Sequence, residues 1–321
     1  MRVFLKKEMF TDREYVLVET KNMKATAFKY ATGVEALKVE NSKGYFIILP
    51  FKGQQIWRLH FLERDLHMKT MMEEPQQTNE YLHTYGAFLL HCGITGIGSP
   101  RQGDTHVQHG EIPSADYQMA YLECNEDYLA VGGRMDYNKT FVQNYSFSPE
   151  CRLYADDTVL KFHMKLENRR SRPMEYSYLC HINFRPFDGA EILDTSEYKE
   201  KHKVGEGEQS IYDPEICFSI RYKDTEEKCG YTLQYTKEGA CYVKHPTDIL
   251  PVGVRWISRT GEEDSMGMIL PATAEPNGYN YAKEHGQLKM LGGKESIEFD
   301  IEVGYLDAER ALEIKEKIET M

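Results

Sequence analysis

Between residues 158 and 183, in TVLKFHMKLENRRSRPMEYSYLCHIN, apolar and polar positions alternate with a period of two. Leu160, Phe162, Met164 and Leu166 share one face and Lys161, His163 and Lys165 the other, as in a half-buried strand. Asn168 to Pro173 reads as a turn. The run that follows places Met174, Tyr176, Tyr178, Cys180 and Ile182 on one face, and Glu175, Ser177, Leu179, His181 and Asn183 on the other. The spacing predicts a β-hairpin, one face of which is not simply solvent-polar.

Similar short runs recur along the chain: YVLVET, GYFIILPF, DYLAVGGRMDY, FVQNYSF, EICFSIRY, GYTLQYT, ACYVKH, VGVRWISRT and SIEFDIEVGYL. Gly, Pro, Asn and Asp separate them at the intervals of an antiparallel sandwich or barrel. Helical patterns are few. DAERALEIKEKIETM at the C-terminus predicts a helix with Asp307 as N-cap and an apolar stripe of Ala311, Leu312, Ile314 and Ile318. A shorter helix is expected near YAKEHG. No linker, low-complexity tract or convincing repeat divides the chain, so the expectation is one all-β domain over residues 1–321: a large antiparallel β-sandwich with few short helices.

Composition narrows the class. The chain has 321 residues, 41% of them hydrophobic, enough for a sizeable core. It has 39 basic against 51 acidic residues, a net charge of −12, and no basic cluster beyond NRRSR, which argues against nucleic acid or an anionic membrane surface as partner. No run approaches the ~20 apolar residues of a membrane span. MRVFLKKEMFTDREY lacks the apolar core of a secretory signal. Seven cysteines, widely spaced and with no C-x-x-C pair, suit reduced thiols. The expected location is the cytoplasm, and a homodimer is left open.

Candidate chemistry starts at DTHVQHGEIPSADY, residues 104–117. His106, His109 and Glu111 are metal-ligand types, but neighbouring glycines and a proline disfavour a helix, and a strand would turn His106 away from His109 and Glu111. Only a loop could bring the three together, and the spacing is no established zinc signature. Acid/base chemistry without a metal needs fewer coincidences, since a histidine and a carboxylate are the usual proton-transfer pair. Three residues stand in unusual settings: His109 before Gly110, His181 near a strand end, and Glu275 between an apolar run and Pro276-Asn277-Gly278.

Taken together, LPFKGQQIWRLHF, YLHTYGAFLLHCG, DTHVQHGEIPSADYQ, YLCHINF and ATAEPNGY, in that order along most of the chain, resemble the galactose mutarotase-like superfamily, in particular its aldose 1-epimerase branch. The resemblance implies a β-sandwich with an open cleft on one sheet and interconversion of the α and β anomers of a free sugar, without cofactor or metal. It implies Glu275 as the base that takes the C1 hydroxyl proton, His181 as the acid that protonates the ring oxygen, and His109 as the group that helps polarise that oxygen. Two departures change the expected substrate contacts. The arginine that holds a sugar hydroxyl in the best-studied relatives has no counterpart near Phe88–His91, so His91 or Arg58 is the expected donor. Their sugar-gripping acidic residue also lacks a match, and Trp256 is the expected stacking surface. With His91, His106 and Glu111 also in the pocket, an unusual or acidic sugar is expected. Two other readings stand beside this one: a metal-assisted sugar isomerase or lyase using His106, His109 and Glu111, with His181 as a further candidate, and a non-catalytic carbohydrate-binding protein.

Overall fold

The computed structural model describes residues 1–198, 202–205, 212–222 and 225–321. Two large antiparallel sheets pack face to face. Among the described residues one sheet has ten strands, with Val159–Asn168 between Gln143–Tyr154 and Ser296–Asp307. The other has twelve, with Met174–Ile182 between Leu89–Ile94 and Asp264–Ala272 and then Val252–Arg259 and Tyr212–Arg221 beyond. Face-to-face packing of this kind buries the inner set of alternating side chains from both sheets.

The strand at 159–168 follows the predicted alternation: Leu160, Phe162, Met164 and Leu166 are buried, while Lys161 and His163 are exposed. The predicted hairpin does not form. Met174–Ile182 belongs to the opposite sheet and pairs with Leu89–Ile94, so the connection through 169–173 crosses from one sheet to the other. Asn168 fixes that crossing, its amide donating to the carbonyls of Arg172, Leu291 and Gly292. Both faces of Met174–Ile182 are almost wholly buried, because one meets the inter-sheet core and the other lies under loops. A local period-two pattern cannot distinguish these two kinds of strand.

The C-terminal helix spans Ala308–Thr320, and Asp307 caps it by accepting from the Arg310 amide at 3.0 Å. Ala311 and Ile318 are buried on the ten-stranded sheet, whereas Leu312, assigned to the apolar stripe, is 47% exposed. The short helix Tyr279–Glu284 is present. Among the described residues no helix is long and apolar enough to cross a membrane.

Candidate functional site

The outer face of the twelve-stranded sheet carries a cleft of about 380 Å³. Period two along neighbouring strands brings Leu179 and His181, Val254, Trp256 and Ser258, and Glu215 and Cys217 to its floor. Loops supply the walls, with Met68, Met72, Tyr81, Tyr85, His109 and Pro276, and the Tyr81 and His109 rings lie 4.8 Å apart.

His181 is 5% exposed, and burial pushes its pKa down to about 4, against a hydrogen bond that favours the charged ring. That bond runs from Nδ1 to Asn183 Oδ1 at 2.8 Å. Asn183 is itself oriented, since its Nδ2 donates to the Ala87 carbonyl at 2.9 Å and its Oδ1 accepts from the Tyr85 hydroxyl at 2.9 Å. An acceptor at Nδ1 places the proton there and leaves Nε2 as an acceptor, 3.4 Å from the Tyr85 hydroxyl. Tyr85 and Trp256 hold the ring edge-on at 5.3 and 5.4 Å.

His109 reaches the cleft from a loop that its own backbone ties down. Its amide donates to Gly98 O at 3.0 Å and its carbonyl accepts from Gly93 at 2.8 Å. The residue has φ +56°, a left-handed conformation costing roughly 1–2 kcal/mol for a side-chain-bearing residue. Gly110 follows at φ +80°, where a Cβ would lie 2.1 Å from Gly93 O, so only glycine lets the loop approach the strand end. His109 Nδ1 accepts from the Gly98 amide at 3.4 Å, which leaves the proton on Nε2. Burial and the neighbouring His181 and His106 lower its pKa well below the usual histidine value. The two imidazole rings are 5.4 Å apart. The cleft therefore holds a neutral acceptor beside a neutral donor.

Glu275 precedes the wall residue Pro276 but does not itself line the cleft. Its carboxylate accepts from Arg221 at 2.9 Å, Gln287 at 3.0 Å and the Tyr281 hydroxyl at 2.9 Å. Desolvation alone would raise its pKa, but Tyr281, Gln287 and Arg221 outweigh it and hold the carboxyl below its ordinary value. The histidine loop and the Glu275 segment are knit together. Asn277 bridges to Gly98, Asp104 accepts from the Asn280 amide at 2.9 Å, and His106 Nε2 accepts from the Tyr279 amide at 3.3 Å.

The other expected substrate contacts are placed differently. His91 pairs across strands with Cys180, so its side chain points into the inter-sheet core, where it is 1% exposed and bonded to the Tyr178 hydroxyl at 2.7 Å. Arg58 donates to the carbonyls of Trp57, Gly86, Met72 and Glu73 at 2.8–3.0 Å and so braces the loop that carries Met72. His106 and Glu111 turn away from the cleft. Glu111 accepts from the Thr95 hydroxyl and amide and from Tyr145, and burial raises its pKa against those bonds. The three ligand types of DTHVQHGE thus diverge, and among the described residues no group of three or more His, Cys, Asp or Glu could hold a metal ion. Trp256 is on the cleft floor, its indole bonded to Glu215.

Four residues that the sequence reading did not single out complete the site. Asn183 shares a strand face with His181, a signal already present in the alternation. Glu215 shares one with Cys217. Tyr85 and Glu263 come from loops and left no local signal; one oxygen of Glu263 is buried without a hydrogen-bond partner.

The two sheets with a cleft on the outer face of one define the galactose mutarotase-like fold, and solved structures agree. A Klebsiella pneumoniae protein provisionally assigned as an aldose 1-epimerase superposes with a TM-score of 0.86 at 15% identity, over 100% of this chain and 95% of that one. A galactose mutarotase-like protein from Clostridium acetobutylicum gives 0.67 at 14% identity, over 90% and 100%. A galactose mutarotase related enzyme from Lactobacillus acidophilus gives 0.59 at 11%, over 85% and 98%. The chain belongs to the family described as Domain of unknown function (DUF4432), whose model matches residues 31–305. No curated protein matches it in sequence.

Proposed function

We propose that the cleft binds a free sugar and interconverts its anomers through His181 and His109. The observation that carries this reading is the pair of fixed, complementary imidazoles facing one cleft, an Nε2 lone pair on His181 and an Nε2–H on His109. His181 Nε2 takes the proton of the C1 hydroxyl as the C1–O5 bond breaks, and the imidazolium returns that proton to O5. His109 donates a hydrogen bond to O5 while charge develops there. The open-chain aldehyde rotates about C1–C2 and recloses by the reverse steps, so protons balance with no outside donor. Positioned proton transfer of this kind contributes ~10²- to 10⁴-fold.

At rest, His181 accepts first, whereas the resemblance makes it the acid. Glu275 is the base that the resemblance implies. It can take the C1 proton only where a sugar hydroxyl displaces Arg221 or Gln287 from its carboxylate.

The lining also bears on the substrate. Glu215 and Glu263 face the cleft and, among the described residues, no lysine or arginine does. An anionic group would meet carboxylates and no counter-charge, so the fitting substrate is a sugar without phosphate or carboxylate. The expected acidic sugar rested on His91, His106 and Glu111, none of which faces this cleft.

Saturation-transfer NMR on a panel of neutral aldoses tests the proposal. Faster anomer exchange, lost in His181→Ala and retained in Glu275→Gln, is the expected result. Loss in Glu275→Gln with retention in His181→Ala would return the base role to Glu275. No acceleration of any sugar would sink the activity and leave a sugar-binding cleft.

A further inference from the structure

A second depression, of about 520 Å³, lies across the 104–111 segment from the cleft and shares no lining residue with it. Its volume is within the range of about 300–1,000 Å³ typical of small-molecule sites. Its floor is apolar, from Ile94, Met174 and Leu288. Lys139 and Arg170 line it, and among the described residues neither has a carboxylate partner, although the chain carries a net charge of −12. Nearby cations differ: Arg169 and Arg134 both pair with Asp136. Arg170 is held in place by the Val142 carbonyl.

Acceptors line it as well. Gln143 Oε1 is buried with no hydrogen-bond partner. Glu175, which accepts from the Tyr279 hydroxyl, keeps a second carboxylate oxygen towards Lys283 at 3.9 Å. Glu111 is already engaged by Thr95 and Tyr145. Two unpaired cations favour one acid group, and the unpaired Gln143 oxygen favours a hydroxyl. The rings of Tyr137, Tyr176 and Tyr279 add flat surfaces against which a sugar can lie.

We propose that this cavity is a second ligand site, for a sugar bearing one phosphate or carboxylate. The acid group binds Lys139 and Arg170, and hydroxyls donate to Gln143 and Glu175. The assignment is independent of any reaction in the cleft, because it concerns binding alone.

Isothermal titration of the full chain with glucose 6-phosphate and with glucuronate, in parallel with glucose and inorganic phosphate, tests it. Saturable binding of at least one acidic sugar, tighter than glucose or phosphate alone, is expected. Lys139→Ala/Arg170→Ala should weaken it at least about tenfold, Gln143→Leu a few-fold, and His181→Ala not at all. Lys139→Gln alone serves if the double variant does not fold. The proposal falls if neither acidic sugar binds, if inorganic phosphate or glucose binds as tightly, or if His181→Ala abolishes binding and so places the anion in the cleft.

Discussion

The segment 104–111 separates two depressions of opposite character. On one side Gln108 and His109 face a cleft with carboxylates, aromatic rings and two neutral imidazoles. On the other, Thr105, His106, Val107 and Glu111 face a cavity with two unpaired cations. Within eight residues the loop therefore presents a proton-transfer group one way and a charge-reading pocket the other. The difference is made by backbone conformation: two successive left-handed residues, His109 and Gly110, reverse the side-chain direction where a strand would only have alternated it. Burial tunes the two sides in opposite senses, lowering the imidazoles of the cleft and raising the Glu111 carboxyl at the cavity.

The strongest way to break the comparison is His181→Ala. Anomer exchange should fall by about 10²- to 10⁴-fold, while acidic-sugar binding in the cavity persists. Loss of both would show that the two depressions are one site.

Acid comes next. His181 titrates at about 4 in the folded chain, His91 and His245 at about 3, all driven down by burial, against about 6.5 in an unfolded chain. Between those values the unfolded state binds more protons, so stability is fully present above pH 6.5 and is lost as pH falls towards 4. Glu111 has the opposite sign, since its raised carboxyl stabilises at low pH and that contribution is lost as pH rises through its folded value. Urea unfolding between pH 7 and pH 4.5 should show a net loss of at least a few kcal/mol, dominated by the buried histidines, His67 and His109 among them. A flat profile would contradict their neutral burial.

A smaller effect isolates the tautomer. Asn183→Asp places a carboxylate at His181 Nδ1 and should raise its pKa by about 1–3 units. The acid limb of kcat/KM moves up with it, and the imidazole titration is read directly by NMR. An unmoved limb would mean that His181 is not the titrating base. Trp256→Leu should raise KM several-fold with a smaller change in kcat, since it removes a stacking surface and leaves the proton path intact. The least effect, and the one that sharpens the loop's dual role, is a chemical-shift change at the His109 ring when an acidic sugar fills the cavity. No shift there would mean that the segment insulates the two depressions.

Much of the fold is legible because strands with one wet face advertise themselves. Val159–Asn168 alternates cleanly, and the helix after Asp307 shows both cap and stripe. Met174–Ile182 reads equally well as a strand, yet its sheet is not legible, since both of its faces are buried and its partners are about 90 residues away on either side. The site divides the same way. His181 and Asn183 on one strand face, and the His109-Gly110 pair, are visible in the chain. The inward turn of His91 is not, because it depends on the cross-strand register with Cys180.

The amino-acid sequence by itself determined the strands, the C-terminal helix and the residue types capable of proton transfer, because period, capping and side-chain chemistry are local properties. Only the tertiary structure decided which histidines meet: sheet membership and register sent His91 to the core, a left-handed turn sent His109 to the cleft and His106 away from it, and long-range burial kept the imidazoles neutral.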